Sequence, residues 1–470
     1  MDKHVIILGA GPSGMSLAWR LASNNVKVEV LESAKMVGGL AGTIREDGYC
    51  LDFGPHSFFS EDEQIVSAVL DLFGNKLPSQ PRQVKFYYKG RYLDYPLTPF
   101  GILFQMGLIS GCRAAASFLY SQVKPRKVVI AEGEDETVKD WAINSFGDYM
   151  YQTFFKPYTE QFWKVPCQEL SARSIPSHTR MSFLNTLQVI LRRRISKVDP
   201  SLIEREQLPT YYPKTGFGEI TEKVAEVVSQ AGGTIHLNSR AKQVRELDDG
   251  TVHIDYEQNG QDKYLEGSYL VSTIPLHLFV KMLQPKPSPE VMASTDRLDY
   301  RALVNLGLVT EKQDILDCGY IYLLDRPYNR ISEMNKFSPG TSPPGENILC
   351  LEICCLRDSA GWHASKEELL DMCIPSLAAD RIILPGDIKR LMLAKAPSAY
   401  PIYRRDYAIH LNRLLGEVKR RGNLATLGRS GEFMYMDSDK CMRRAFDFGD
   451  RLLKQFGIEP NPQPGHHGDT

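Results

Sequence analysis

Three glycines near the start of the sequence have the spacing of a loop that holds a phosphate group. Gly9, Gly11 and Gly14 follow the apolar run VIIL at residues 5–8, and the apolar residues after them recur with the period of a helix. The first glycine allows a tight turn, the second lets the backbone approach a pyrophosphate, and the third lets the helix pack closely on the strand. The helix would direct unpaired N–H groups and the positive end of its dipole at the phosphates. We therefore predict dinucleotide contacts at Gly9, Gly11, Pro12, Ser13 and Gly14.

The next segment completes a nucleotide-binding unit. The run VKVEVLE, residues 26–32, has the pattern of a second strand and ends in Glu32. An acid at this place accepts hydrogen bonds from the ribose hydroxyls of a dinucleotide. Because strand, glycine loop, helix, second strand and acid follow in order, we interpret the segment as a β-α-β dinucleotide site rather than as a glycine turn without a ligand.

A second glycine cluster narrows the choice of dinucleotide. The run SAKMVGGLAGT, residues 33–43, places Gly38 and Gly39 soon after the acid, so that more backbone passes close to the phosphates. This run resembles the FAD-binding extension of the amine oxidase and protoporphyrinogen oxidase superfamily, which NAD dehydrogenases generally lack. The resemblance implies that FAD is the cofactor and that it is contacted by Ser33, Gly39 and Leu40.

Two later parts of the chain resemble the rest of that FAD-binding domain. Residues 232–256 alternate like paired strands, and the resemblance makes the backbone of Val244 a contact of the adenine. Near the end, an apolar strand is followed by a helix that begins at Asp437 or Asp439 and ends at Gly457. This helix would aim its N–H groups at the electron-rich end of the flavin ring. The implied contacts are Gly428, Arg429, Asp437, Cys441 and Met442.

The segments together predict an α/β protein with a Rossmann-like FAD-binding domain of the GR2 type. The domain would be assembled from residues 1–75, 208–282 and 405–458. Two substrate domains would be inserted in it, a mostly helical one at 76–207 and an antiparallel-sheet one at 283–404. Residues 459–470 are rich in proline and glycine and lack apolar periodicity, so we predict a disordered tail there.

One histidine follows the cofactor segments directly. In LDFGPHSFFS, residues 51–60, Gly54 and Pro55 fix a turn that places His56 near the reactive edge of the flavin. A lone histidine is more often structural than catalytic. Its place after the cofactor extension makes His56 a candidate catalytic residue.

Six motifs, in order along nearly the whole chain, resemble those of the UDP-galactopyranose mutases. They are GPHSFF, YYKGRYLDYPLTPF, FFKPYTEQFWKVP, RPYNRISEMNKF, AKAPSAYPIY and GRSGEFMYMDSDKCM. The resemblance implies that Arg330 is a catalytic residue that pairs with the diphosphate of a nucleotide-linked sugar. It also implies a substrate site formed by Tyr158, Trp163, Arg180, Tyr328, Tyr400 and Tyr435.

The chemistry of a nucleotide-sugar matches these residue types. Aromatic rings stack on a flat base, so Trp163 or a neighbouring ring is expected to hold the uracil. An arginine fork pairs with a diphosphate, and tyrosine hydroxyls complete its coordination. Core packing with a satisfied hydroxyl explains any single one of these tyrosines equally well.

The resemblance implies a reaction without net redox change at N5 of the reduced flavin. The sugar would leave UDP, open and reclose with the other ring size. The cofactor would carry the covalent chemistry, and the protein would supply position, charge and exclusion of water. A reductant, for which NAD(P)H is a candidate, would be needed to reduce the flavin.

The sequence departs from the mutase motifs at two residues and in one segment. Pro157 stands where the family has glycine, and Phe433 stands where it usually has tyrosine. Residues 185–218 have no clear counterpart in the compact mutases. Another nucleotide-linked or lipid-linked sugar is therefore an alternative substrate.

A second hypothesis is an FAD-dependent oxidoreductase of the protoporphyrinogen oxidase, phytoene desaturase or amine oxidase type. Such enzymes need a more apolar cavity. The apolar residues 100–119 would either line this cavity or touch a membrane. For residues 95–112 we prefer a buried helix behind a proline turn to a membrane contact.

The aromatic run FFKPYTEQFW, residues 154–163, divides by its helical spacing. We predict that Tyr158 and Trp163 face the substrate cleft and that Phe154, Phe155 and Phe162 belong to the core.

The overall composition limits the classes of partner and the cellular compartment to be expected. The 470 residues carry a formal net charge of −1, which gives no electrostatic case for a nucleic-acid partner. The nine cysteines include no C-x-x-C pair, so neither a disulfide framework nor a metal site is indicated. This cysteine usage is typical of a reducing compartment, and we predict a cytoplasmic protein with a small-molecule substrate.

Overall fold

The structure is a computed structural model that describes residues 3–80, 84–88, 90–94, 108–126, 128, 130–175 and 208–464. The helices in these ranges are α1 (Pro12–Ala22), α2 (Glu63–Leu72), α3 (Leu108–Val123), α4 (Val138–Phe146), α5 (Asp148–Met150), α6 (Lys156–Trp163), α7 (Glu219–Gln230), α8 (Leu276–Met282), α9 (Pro289–Thr295), α10 (Ala360–His363), α11 (Lys366–Ala379), α12 (Tyr407–Lys419), α13 (Gly428–Gly431) and α14 (Ser438–Gln455). The strands are β1 (His4–Leu8), β2 (Lys27–Leu31), β3 (Thr43–Glu46), β4 (Tyr49–Asp52), β5 (Ser79–Gln80), β6 (Val84–Tyr88), β7 (Arg91–Asp94), β8 (Thr210–Tyr211), β9 (Thr234–His236), β10 (Ser239–Glu246), β11 (Val252–Gln258), β12 (Gln261–Gly267), β13 (Tyr269–Ser272), β14 (Leu283–Gln284), β15 (Tyr300–Thr310), β16 (Tyr320–Leu323), β17 (Arg330–Glu333), β18 (Asn347–Cys355), β19 (Ile388–Pro401) and β20 (Leu424–Thr426).

A parallel sheet of five strands, in the order β20-β13-β1-β2-β9, forms the first layer. Its central strand β1 is buried along its whole length, as the apolar run VIIL predicts for a strand covered on both faces. Helices α1, α7 and α14 pack beside it through one continuous apolar core. The strands come from distant parts of the chain, 4–31, 234–272 and 424–426. The predicted α/β fold class with a Rossmann-like domain is confirmed.

A second, antiparallel sheet has four strands in the order β12-β11-β10-β14, with only β10 and β14 parallel. One of its faces is apolar and packs with α8 and α12 against the parallel sheet. This sheet therefore belongs to the same structural unit as β1 and β2.

The largest sheet has seven strands in the order β19-β15-β18-β17-β16-β6-β7. One of its faces is covered by α11, whose Leu369, Cys373 and Leu377 join the apolar side chains of the strands. The opposite face turns towards the parallel-sheet layer and packs on Leu40 and Phe53. Because β6 and β7 belong to this sheet, Val84–Tyr88 and Arg91–Asp94 are strands, although the sequence predicted them within a mostly helical domain.

The aromatic run 154–163 lies in the helical layer. A π-helical turn at Tyr151–Phe155 continues directly into α6, and Pro157 is in the first turn of that helix. Proline is tolerated there because the main-chain hydrogen bonds are already rearranged by the π turn.

The last described residues pack against α1. Arg20, which is fully buried, donates hydrogen bonds to the carbonyl oxygens of Asn461 and Pro462 at 2.5 and 3.1 Å and to the carboxylate of Asp450 at 2.5 Å. The main-chain N–H of Asn461 donates to Asn24 at 2.8 Å. Asn461 and Pro462, within the tail that the sequence predicted to be disordered, are thus held by hydrogen bonds, and residues 465–470 lie outside the described residues.

In the described part of the chain, no helix has both the length and the apolar character that a membrane span requires.

Candidate active site

The amino terminus of α1 has the geometry of a phosphate-binding turn. Gly9 has a φ of +97°, and a side chain there would lie 2.6 Å from Oγ1 of Thr273. A Cβ atom on Gly14 would lie 1.9 Å from the carbonyl oxygen of Gly9, so a side chain would push α1 away from the turn. Gly11 is the N-cap residue, and no side chain in the described ranges caps the helix. The first N–H groups of α1 can therefore bind an anion.

The second glycine cluster packs against this turn. Gly39 has a φ of +52°, and a Cβ atom there would lie 3.2 Å from Cα of Gly11. The next residue, Leu40, is half-buried and packs towards Leu303 of β15. Gly39 and Leu40 thus connect the glycine turn to the seven-stranded sheet.

Glu32 follows β2 and lies beside the glycine turn. One carboxylate oxygen accepts a hydrogen bond from the N–H of Ala10 at 2.8 Å. The other accepts from the N–H of Ala34 at 2.8 Å and from the hydroxyl of Ser33 at 3.3 Å. These contacts orient the carboxylate and leave acceptor capacity for a ribose hydroxyl.

A second helix amino terminus meets the first. Of the two predicted N-cap residues of α14, the structure selects Asp437. Gly428 has a φ of +81°, and a Cβ atom there would lie 2.1 Å from the hydroxyl oxygen of Ser13. Cys441, in the first turn of α14, is hydrogen-bonded with the same serine. Through Cys441, Ser13 brings the amino termini of α1 and α14 together, and Gly428 at the start of α13 packs on the same serine.

These features fit FAD. The pyrophosphate would lie at α1, the ribose at Glu32 and the flavin ring towards α14. Met442 and Pro12 line one small cavity where α1 and α14 meet. Val244 lies inside the four-stranded sheet, paired with β11 and β14, and its side chain is buried. Only the backbone of Val244 is therefore a candidate contact for the adenine.

The seven-stranded sheet carries a group of charged and aromatic side chains, which we take as the candidate substrate cleft. Arg330 of β17 and Glu352 of β18 are neighbours in the sheet, and the guanidinium donates a hydrogen bond to the buried carboxylate. The carboxylate raises the pKa of Arg330 well above its ordinary value, against the opposing effect of burial. The hydroxyl of Tyr400 lies 3.5 Å from Nη2 of Arg330.

Two more guanidinium groups converge on Tyr400. Arg301 of β15 is fully buried, with its guanidinium carbon 4.0 Å from the centre of the Tyr400 ring and 3.7 Å from that of Phe162. The guanidinium carbon of Arg429 lies 4.4 Å from the Tyr400 ring and 4.6 Å from the ring of Tyr435. The sheet and the start of α13 thus concentrate positive charge around one tyrosine.

His56 lies close enough to Arg330 and Arg429 to be affected by their charges. Burial, Arg330 and Arg429 lower the pKa of His56 from 6.5 to about 3, so its imidazole is neutral at ordinary pH. Its ring stacks on Phe217, with 5.0 Å between the ring centres. The structure therefore places His56 near the predicted catalytic arginine.

The aromatic rings at the end of α6 lie against the arginine cluster. Trp163, predicted to face the substrate, is buried in the helical core with 6% of its surface exposed. Both Trp163 and Phe162, the latter predicted to be in the core, lie against Arg301 and Tyr400. Tyr158 is half-buried and stacks between Phe154 and Phe162.

Tyr435 and Tyr328 have opposite surroundings. Tyr435 is 43% exposed and stacks on Tyr400, with 5.7 Å between the ring centres. Tyr328 is fully buried on the face of the sheet that α11 covers, so it does not reach the cleft.

Arg180 lies outside the described residues. Phe433, the residue that departs from the mutase motif, is buried against Tyr300 and away from the cleft.

Two residues of the cleft were absent from the sequence prediction. Arg301 is a charged residue in the strand YRALVNLGLVT, and Glu352 is one in NILCLEICC. A charge inside an apolar run of strand length signals a buried ion or a site, because an unpaired charge in a core is costly. That signal was present in both strands.

Comparisons with known proteins agree with this geometry. Residues 12–386 match the family described as flavin containing amine oxidoreductase. The chain is 23% identical to a probable UDP-galactopyranose mutase of Klebsiella pneumoniae, over 96% of this chain and 95% of that protein. It is 27% identical to a dTDP-fucopyranose mutase of Escherichia coli, over 97% and 99% of the two chains.

A crystal structure of reduced UDP-galactopyranose mutase superposes with a TM-score of 0.77 at 19% identity, over 98% of this chain and 95% of that one. At this identity the likeness shows the fold. Because the family match spans most of the chain, this protein belongs to the flavin containing amine oxidoreductases and is an FAD-dependent enzyme.

Proposed function

We propose that this enzyme is a mutase that changes the ring size of a nucleotide-linked sugar while its flavin is reduced. The observation that carries the proposal is the convergence of Arg301, Arg330 and Arg429 on Tyr400. Guanidinium groups match the oxygens of a diphosphate in geometry and charge. An amine substrate would bring no anionic group to this cluster, so the positive charge that Glu352 does not balance would stay unpaired in a buried site.

The charge balance of the cluster favours an anionic substrate. Glu352 neutralises Arg330, whereas Arg429 donates to the carbonyl oxygen of Ala399 at 2.8 Å. Nε of Arg429 is buried and has no hydrogen-bond partner within the described ranges. Arg301 donates to the carbonyl oxygen of Phe162 at 2.6 Å and adds positive potential from beneath the cleft.

These contacts give each group a role. Arg330 and Arg429 would bind the diphosphate from two sides of Tyr400, whose hydroxyl would donate to a phosphate oxygen. The half-buried rings of Tyr158 and Phe162 would form the wall against which the nucleotide base packs. Trp163 would support that wall from the core.

The sugar would then lie between the arginine cluster and the flavin. Reduced FAD supplies a nucleophilic nitrogen, so the ring of the sugar can open and close without net oxidation. His56 is neutral and would border the sugar without repelling the cationic character that develops at its anomeric carbon. The apolar residues Leu40 and Phe53 would keep water from this end of the cleft.

Relatives give two candidate substrates. One is named for UDP-galactopyranose and one for dTDP-fucopyranose, and both are nucleoside diphosphate sugars. We propose a substrate of this class, with the base and the sugar to be determined by experiment.

The experiment that tests the proposal compares the two flavin states of the purified holoenzyme. UDP and dTDP are titrated into oxidised and reduced protein, and binding is followed by calorimetry. The corresponding hexose conjugates are then incubated with each form, and the ring isomers are separated by chromatography. We expect nucleotide binding, and ring interconversion by the reduced form only.

The competing function has a distinct outcome. If the protein binds neither nucleotide and consumes oxygen with an amine or a porphyrinogen, it is an oxidase of the wider family and the mutase proposal is wrong. Arg429→Met and the exposed control Arg381→Met each remove one positive charge, but only Arg429→Met removes it from the proposed site. Only Arg429→Met should therefore lower the nucleotide affinity.

A reductant and a location complete the proposal. All nine cysteines are free, which fits the reducing cytoplasm. NADPH and NADH are available there as donors. Bleaching of the flavin absorbance on anaerobic addition of either nucleotide would identify the donor, and the absence of bleaching with both would exclude them.

A further inference from the structure

Asp52 is a buried carboxylate next to the loop that bears His56. It is fully buried at the end of β4. Its oxygens accept hydrogen bonds from the hydroxyl of Thr43 at 2.5 Å and from that of Tyr212 at 2.8 Å. They also accept from the main-chain N–H of Phe217, at 3.2 and 3.4 Å. All these donors are neutral, so the carboxylate is solvated by the chain itself.

The same contacts hold residues 210–218 against the segment that contains Thr43 and Asp52. Thr43 accepts a hydrogen bond from the N–H of Gly218 at 2.8 Å. Gly216 has a φ of +107°, and a Cβ atom there would lie 2.4 Å from the Thr43 side chain. Phe58 and Tyr211 exchange main-chain hydrogen bonds of 2.7 and 2.8 Å. Residues 210–218 are thereby fixed along the loop that carries His56.

These contacts extend to His56 through Phe217. The Phe217 ring stacks on the imidazole of His56 at an interplanar angle of 22°. Nδ1 of His56 is buried and has no hydrogen-bond partner among the described residues. The orientation of the imidazole therefore depends on the stacked ring, and the place of that ring depends on the hydrogen bond between its backbone and Asp52.

We propose that Asp52 is a positioning residue, whose ionised carboxylate holds Phe217 and thereby sets the orientation of the His56 imidazole in the flavin cleft. Protonation of the carboxyl group weakens its bond to the Phe217 N–H and releases the stacked pair. The inference concerns the flavin cleft itself and holds whichever substrate the enzyme takes.

The electrostatics of the site agree with this geometry. Burial raises the pKa of Asp52 from 3.8 to about 6, while the hydrogen bonds from Thr43, Tyr212 and Phe217 and the charge of Arg45 oppose the rise. The titratable groups facing it are Arg45 and Cys50 of its own hairpin, Tyr212, and Cys350 of β18. Burial also raises the pKa values of these thiols and of the Tyr212 hydroxyl, so they stay neutral near pH 6.

The test follows the His56 ring in the holoenzyme by nuclear magnetic resonance with ¹⁵N-labelled histidine. The His56→Gln variant identifies its signals among those of the ten histidines. We expect the His56 signals to shift with a midpoint near pH 6 while their ¹⁵N values remain those of a neutral imidazole. Signals that do not move between pH 5 and 8 would overturn the proposal.

Three variants separate positioning from a merely structural role. Asp52→Asn is neutral like the protonated carboxyl group, so it should show the low-pH His56 signals at every pH and lose the pH response. Tyr212→Phe removes a donor to the charged form, so the midpoint should rise. Phe217→Leu keeps the backbone N–H but removes the stacked ring, so His56 should no longer report the titration of Asp52.

Each variant has an outcome that contradicts the mechanism. An unchanged pH response in Asp52→Asn would show that another group titrates. A response that persists with the same midpoint in Phe217→Leu would show that Asp52 does not act through the ring. If Asp52→Asn folds poorly, the direction of the midpoint shift in Tyr212→Phe decides alone.

Discussion

Arg330 donates a hydrogen bond to Glu352 directly beneath Gly54, so the loop that bears His56 rests on a buried ion pair. Gly54 has a φ of +113°, and a Cβ atom there would lie 2.7 Å from Oε2 of Glu352 and 3.5 Å from Nη2 of Arg330. The arginine proposed to bind the diphosphate is therefore already held by an acid. This acid should set how tightly the cleft binds an anion.

Glu352→Gln should strengthen nucleotide binding. The amide keeps a hydrogen-bond acceptor for Arg330 but removes a negative charge from beside the anion, which changes the binding free energy by on the order of 1 kcal/mol. Arg330→Gln should have the opposite effect and weaken UDP binding by about 2–3 kcal/mol, or roughly 30- to 150-fold. Calorimetric titration of both variants with UDP measures the two changes. Weaker binding in Glu352→Gln would mean that the acid orients Arg330 more than it competes with the substrate.

Arg301 should matter for binding more than for stability. Its guanidinium is stacked between Phe162 and Tyr400 in a fully buried position, where replacing a charge by an apolar side chain of similar volume is often tolerated. Arg301→Met should therefore leave the melting temperature within a few degrees while it weakens UDP binding by about 10-fold, as expected for the loss of one nearby charge.

An exposed arginine near β15 offers a matched control. Arg297 forms an ion pair with Asp406 at 2.5 Å and its side chain is 55% exposed. Arg297→Met should change neither quantity measurably, because exposed ion pairs contribute little. Equal effects of the two substitutions on UDP affinity would show that only net charge matters.

The cofactor half of the site could be anticipated because its signal is local. Gly9, Gly11, Gly14 and Glu32 act within one β-α-β unit, where backbone requirements follow from spacing alone. The fold class followed from the same unit.

The substrate-binding part of the site depends on contacts between strands that are distant in the sequence. Arg301 and Glu352 reach the cleft because β15 and β18 pair in a register that places them on one face, and the sequence does not specify that pairing. Tyr328 lies on the opposite face of the sheet, and Phe162 as well as Trp163 lies against Arg301. Such outcomes depend on strand register and tertiary packing, which periodicity cannot detect.

The pH dependence of stability should change in opposite directions in two variants. Between pH 3.8 and about 6, folded Asp52 retains a proton that the unfolded chain has released, so the free energy of unfolding falls as the pH rises. Between pH 6.5 and about 3, unfolded His56 binds a proton that the folded chain excludes, so the free energy of unfolding falls as the pH falls. Relative to the wild type, Asp52→Asn should gain stability as the pH rises through this range and His56→Gln as it falls. Urea unfolding at pH 4.5, 5.5 and 7 measures the two slopes, and slopes of equal sign would contradict the assignment of either group.

Gly428 should be required for cofactor retention. Its φ of +81° strains any residue other than glycine by about 1–2 kcal/mol. The Cβ atom of an alanine would lie 2.1 Å from the hydroxyl oxygen of Ser13, so the serine would have to move. Because Gly428 packs on Ser13, which is also hydrogen-bonded with Cys441 of α14, Gly428→Ala should displace the amino terminus of α1 from α14 and weaken FAD binding by at least roughly 10-fold, or about 1.4 kcal/mol. A cofactor-release assay by flavin fluorescence measures the loss. Gly386→Ala is the control, since a Cβ atom there meets nothing within 4 Å, and it should retain FAD as the wild type does. Full retention in Gly428→Ala would show that the junction of the two helices is not part of the FAD site.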